Sequence, residues 1–104
     1  MPAQQNIIKL IKAYVDFCNT KNIHFNKVIL FGSYAKDTAG KDSDIDVLLV
    51  SDQFTDNTFD NWRSLAPVTA KFYNIEPHPY PTSYFLKGDP FITEIKKYGI
   101  EIKI

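Results

Sequence analysis

A single cysteine, Cys18, in 104 residues excludes an internal disulfide and any metal site built from several thiolates. An excess of one charge is missing too, with 12 basic residues against 12 acidic ones. Proteins that bind nucleic acid by neutralising many phosphates carry clustered Lys and Arg, so a nucleic-acid partner is not expected. A nucleotide is a smaller target, which one or two cations and a metal can hold. No apolar run approaches the roughly 18–20 residues that a membrane-crossing helix needs. The start, Met1-Pro2-Ala3-Gln4-Gln5-Asn6, has neither the basic segment nor the cleavage site of a secretory signal, so a cytoplasmic protein is expected. Repeats, low-complexity tracts and linkers are also missing. What is present is ordinary core material: 44% hydrophobic residues, with eight Phe and six Tyr, enough for one domain over residues 1–104.

Ile7, Leu10, Ile11, Tyr14, Val15 and Cys18 recur at helical spacing and predict an amphipathic helix over about residues 4–21. Lys27-Val28-Ile29-Leu30-Phe31 is a short apolar run that ends at Gly32 and reads as a buried strand. A polar, turn-rich segment over 34–43 leads to a second strand, Asp44 to Val50. Phe59, Trp62, Leu65, Thr69, Phe72 and Tyr73 predict a second helix whose aromatics serve the core. Pro67 should kink it or split it in two. Tyr73 to Tyr80 reads as a strand, and the prolines at 77, 79 and 81 suit a sheet edge. Asp89 as N-cap, Pro90 at the first position and Gly99 past the end delimit a last helix, followed by a strand over 100–104. The expected fold is α/β: a mixed sheet of about four strands, helices packed mainly on one face, and the chemistry on the open side.

The chemistry is concentrated in Phe31-Gly32-Ser33-Tyr34-Ala35-Lys36 and Asp42-Ser43-Asp44-Ile45-Asp46-Val47. A strand that ends in Gly-Ser and turns into a helix exposes backbone N–H groups and a hydroxyl to phosphate oxygens, and glycine lets a phosphate approach the backbone. Two carboxylates two residues apart on a strand project to one face. Their repulsion is relieved by a divalent cation, and hard oxygen ligands favour Mg²⁺. A calcium loop is excluded, because Val47 and Gln53 stand where that loop needs Gly and Glu. A P-loop is excluded as well, since Ala35 and Asp42 stand where it needs Gly and Ser or Thr.

Gly32-Ser33 followed by Asp44-Ile45-Asp46, with Gly32-Ser33-Tyr34-Ala35-Lys36 and Ser43 to Val47 as the extended pattern, resembles the signature of the polymerase-β-type nucleotidyltransferases. Within that superfamily it is similar to the minimal prokaryotic members. The resemblance implies Mg²⁺-dependent transfer of a nucleoside monophosphate from an NTP, with ATP expected, to an acceptor hydroxyl. It implies two Mg²⁺ ions held by Asp44 and Asp46, and a triphosphate on Gly32 and Ser33, with Lys36 a further phosphate contact. A third carboxylate on a later strand would bind the catalytic ion and help activate the acceptor. Glu76 is the candidate, and Asp42 is the alternative ligand if the strand begins early. His78 shares the Glu76 face but reads as satisfied or exposed. Asp37 stands where many minimal members have Gly. The minimal members of two-gene toxin–antitoxin systems imply a partner protein, a helical toxin of the HEPN type, or a second copy of the chain. A small-molecule acceptor of the aminoglycoside type and a binding module without turnover are the alternatives.

Overall fold

The computed structural model describes residues 2–40 and 43–104; Asp42, the alternative ligand, lies outside them. The elements run α1 (Pro2–Thr20), β1 (Lys27–Phe31), a 3₁₀ turn (Gly32–Tyr34), β2 (Ile45–Ser51), α2 (Thr58–Thr69), β3 (Ile75–Pro81), α3 (Thr82–Lys87), α4 (Pro90–Tyr98) and β4 (Ile100–Glu101). The sheet has four strands in the order β3-β2-β1-β4. β1 pairs antiparallel with both β2 and β4, whereas β2 and β3 are parallel. A parallel pair needs a crossover connection, and α2 supplies it.

Period-two alternation divides each strand between two layers. Val28, Leu30, Ile45, Val47, Leu49 and Ile75 pack with α1 (Ile11, Tyr14, Val15, Cys18) and α2 (Leu65, Val68). On the opposite face Ile29, Leu48 and Val50 pack against Phe85 of α3 and Ile92 and Ile95 of α4. The two long helices therefore share one face, as expected, and the two short ones cover part of the other. Tyr14 is fully buried and ties α1 to α2 through a 2.9 Å hydrogen bond with the Thr69 hydroxyl. Burial raises its pKa well above the usual phenol value and pushes the Cys18 thiol up to about 12, so both stay neutral.

Three expectations are corrected. Pro67 does not split α2, because it falls in the last turn, where Ala70 N–H still bonds the Ala66 carbonyl. Trp62 and Tyr73 are exposed, not core. The inward stripe of α2 is Asn61, Leu65 and Val68. Asn61 can be buried because its side chain accepts from Thr55 N–H at 2.9 Å and donates to the Thr55 carbonyl at 2.8 Å. The last strand is two residues, extended by one bond from Ile102 N–H to the Val28 carbonyl. Helix α3 is an addition that the apolar pattern did not predict. The α4 signals hold, with the Asp89 carboxylate accepting from Ile92 N–H at 2.7 Å and Pro90 in the first turn.

Gly99 closes the packing between α4 and β1. A Cβ there would stand 2.5 Å from Ile29 Cγ2 and 2.6 Å from the Ile95 carbonyl oxygen. Its φ of −74° suits any residue, so the constraint is space alone. Gly99→Ala should lower stability by about 1–3 kcal/mol, read as a lower urea midpoint with an unchanged slope.

Candidate active site

Strand register sets the site. Phe31 pairs with Asp46 across β1 and β2, and Asp46 pairs with Glu76 across β2 and β3. These three side chains form a row on the face that α3 and α4 leave partly open. One row further on, His78 stands beside Leu48. The carboxylates of Asp46 and Glu76 and a ring nitrogen of His78 lie within 4.8 Å of one another, and all three residues are half-buried.

Asp46 is held from two sides. Its Oδ1 lies 3.2 Å from His78 Nε2. Its Oδ2 lies against Gly32, where an added Cβ would overlap it and stand 3.3 Å from Asp46 Cγ. Gly32 has φ +76°, a conformation that side chains other than glycine's resist. The His78 ring is itself fixed by aromatic neighbours, edge-on to Phe31 at 4.9 Å and 6.4 Å from Phe91. Among the described residues neither Asp46 nor Glu76 is paired with a lysine or arginine.

The Gly-Ser turn stands directly beside these groups. The Gly32 carbonyl accepts from the N–H groups of Ala35 and Lys36, and the Ser33 carbonyl accepts from Thr38 N–H at 2.9 Å. These bonds let the chain leave the turn through Asp37 at φ +59°. A left-handed residue is required there, and aspartate is among the side chains that tolerate it. Lys36 is exposed and lines a cavity of about 170 Å³ with Gly32, Phe31, Phe91, Glu94 and Tyr98.

The fold thus joins Asp46 and Glu76 beside Gly32. It does not bring Asp44 into the group within 4.8 Å. That residue is exposed, one position before β2. His78, read from sequence as satisfied or exposed, belongs to the group, and its place two residues after Glu76 was the available signal. No linear pattern pointed to Phe91, which reaches the site because α4 folds back over β1.

Two carboxylates with an imidazole, beside a glycine turn open to phosphate, are a donor set that fits a divalent cation bound with a nucleotide. The profile of the "Nucleotidyltransferase domain" family matches residues 11–102. The chain belongs to that family. It is 29% identical over 100 residues to a "putative protein adenylyltransferase" of Methanocaldococcus jannaschii, covering 92% of this chain and 98% of that protein. The crystal structure of a "putative nucleotidyltransferase" from Sulfolobus solfataricus has the same fold, with a TM-score of 0.71 and 21% identity over 96% of this chain and 82% of that one. The nucleotidyltransferase assignment makes the chain an enzyme of nucleoside monophosphate transfer, with an NTP as substrate and a divalent cation as cofactor.

The Gly32–Asp46 contact gives a test. Gly32→Ala should destabilise the protein by about 1–2 kcal/mol from the left-handed backbone alone, and further through the overlap with Asp46. Adding Asp46→Ala should return the overlap part, so the double variant should lose less stability than the two single losses combined. Strict additivity in urea unfolding would show that the two residues do not press on each other.

Proposed function

We propose that this nucleotidyltransferase moves AMP from ATP to a hydroxyl group on a protein, with two Mg²⁺ ions at Asp44, Asp46 and Glu76. The observation that carries this reading is the convergence of the Asp46 and Glu76 carboxylates beside the bare α-carbon of Gly32. Asp46 with Glu76 would hold one ion, and Asp44 with Asp46 the other. When bound, the ions neutralise phosphate charge and make the acceptor hydroxyl easier to deprotonate.

The chain's own residues position and shield. Gly32 admits the triphosphate to the backbone, the Ser33 hydroxyl donates to a phosphate oxygen, and Lys36 adds a positive charge at the rim. Glu76 accepts the proton of the acceptor hydroxyl as that oxygen bonds to the α-phosphorus and pyrophosphate departs on the opposite side. Alignment and charge neutralisation supply most of the rate.

A protein acceptor is supported by the name of the methanogen relative and by the zero net charge, which gives a nucleic acid no overall electrostatic attraction. The acceptor is placed on a partner, such as the helical HEPN-type toxin of a two-gene system, or on a second copy of the chain. A cytoplasmic location belongs to the same reading; among the described residues no helix is long and apolar enough to cross a membrane.

Purified protein incubated with ATP and Mg²⁺, alone and with the product of the adjacent gene, should give one of the two polypeptides a mass gain of one AMP. Asp44→Asn and Asp46→Asn should each abolish that gain while far-UV circular dichroism stays native. Glu76→Gln should lower turnover by about 10²-fold or more and change ATP affinity far less. Turnover equal to wild type in both aspartate variants overturns the metal-site reading. Collapsed ATP binding with normal turnover at saturation would remove Glu76 from its assigned role.

A further inference from the structure

We propose that His78 is a nitrogen ligand of the cation at Asp46 and Glu76, so that this position binds a first-row transition-metal cation such as Mn²⁺ more tightly than the Mg²⁺ that supports turnover. The proposal rests on the reading above that Asp46 and Glu76 bind a divalent cation. It differs from the motif's implication of an all-carboxylate site filled by Mg²⁺.

The geometry favours direct ligation. In an octahedral sphere with bonds of about 2.1 Å, neighbouring donors stand about 3.0 Å apart. His78 Nε2 and Asp46 Oδ1 are 3.2 Å apart, and one carboxylate oxygen each of Asp46 and Glu76 and one ring nitrogen of His78 all lie within 4.8 Å of one another. These distances put the three donors within reach of one ion, with the His78–Asp46 pair already at the spacing of neighbouring ligands. The imidazole is the third group the fold brings to this pair, whereas the Asp44 carboxylate lies outside the group. Phe31 and Phe91 contact the ring on the sheet and on α4. A ring already held in place loses little rotamer freedom on binding, as a built ligand should.

Donor chemistry then sets the preference. Carboxylates suit Mg²⁺, Ca²⁺ and Mn²⁺ alike, whereas an imidazole adds affinity for the transition-metal ions, least for Mn²⁺ at the start of the series, and very little for Mg²⁺. A site with two carboxylates and one imidazole should rank these ions by their affinity for nitrogen.

Mn²⁺ alone, without nucleotide, is the probe. Pulsed EPR of the Mn²⁺-loaded protein should show coupling to a ¹⁴N nucleus. The chain has two histidines. The other, His24, is exposed and bonded to Asn19, so His24→Gln should keep the coupling and His78→Gln should lose it. His78→Gln should also weaken Mn²⁺ binding by about tenfold or more while Mg²⁺ affinity, measured by competition, changes less than twofold. The measurement on wild type and His24→Gln needs no substitution at the site, so it decides even if His78→Gln folds poorly. Mn²⁺ bound with oxygen coupling only, or equal loss of Mn²⁺ and Mg²⁺ affinity in His78→Gln, overturns the proposal and leaves the nucleotidyl-transfer reading standing. Undiminished Mn²⁺ binding by Asp46→Asn would overturn both.

Discussion

The Asp46 carboxylate rests against the α-carbon of Gly32, in space that any other residue at position 32 would fill with its own Cβ. This contact is possible because antiparallel pairing sets Phe31 opposite Asp46, which brings the first residue of the turn beside the carboxylate. Ile45 and Val47, buried on either side of Asp46 in sequence, anchor β2 so that its polar residue cannot slip to the other face. From β3 the register brings Glu76 into the same row. The site is therefore a product of pairing register, and a slip of one residue in either ladder would dissolve it.

Repulsion between Asp46 and Glu76 opposes this arrangement, and no lysine or arginine among the described residues relieves it. Folding still brings the two together, because the hydrophobic gain of the strands that carry them is larger. Ile45, Val47, Leu48, Leu49 and Val50 are fully buried, each contributing about 1.5–3 kcal/mol in apolar burial. The core thus holds together two anions that would separate in a free peptide, which makes a ready seat for a cation.

Much of this was legible in the sequence because it rests on local rules. β1 falls on the apolar run from Lys27 to Phe31, and α4 lies between its Asp89 cap and Gly99. Two-residue alternation alone puts Asp46 on the face opposite Ile45 and Val47. The misses are tertiary. Asn61 occupies a core position that a polar residue does not advertise, because the backbone of the preceding loop satisfies it. Its presence rotates the buried stripe of α2 away from Trp62. Phe91 and His78 meet only after α4 crosses the sheet.

The three prolines of β3 share one parity, and the Asn74 carbonyl on the opposite parity accepts from Ile45 N–H of the neighbouring strand. Pro77, Pro79 and Pro81 therefore turn their nitrogens, which carry no hydrogen, toward the outer border of the sheet. A foreign strand arriving there would find acceptors without donors, and could form only half a ladder. The opposite border is β4, two residues long, too short to template a partner. Polymerisation by strand addition is thus disfavoured at both margins.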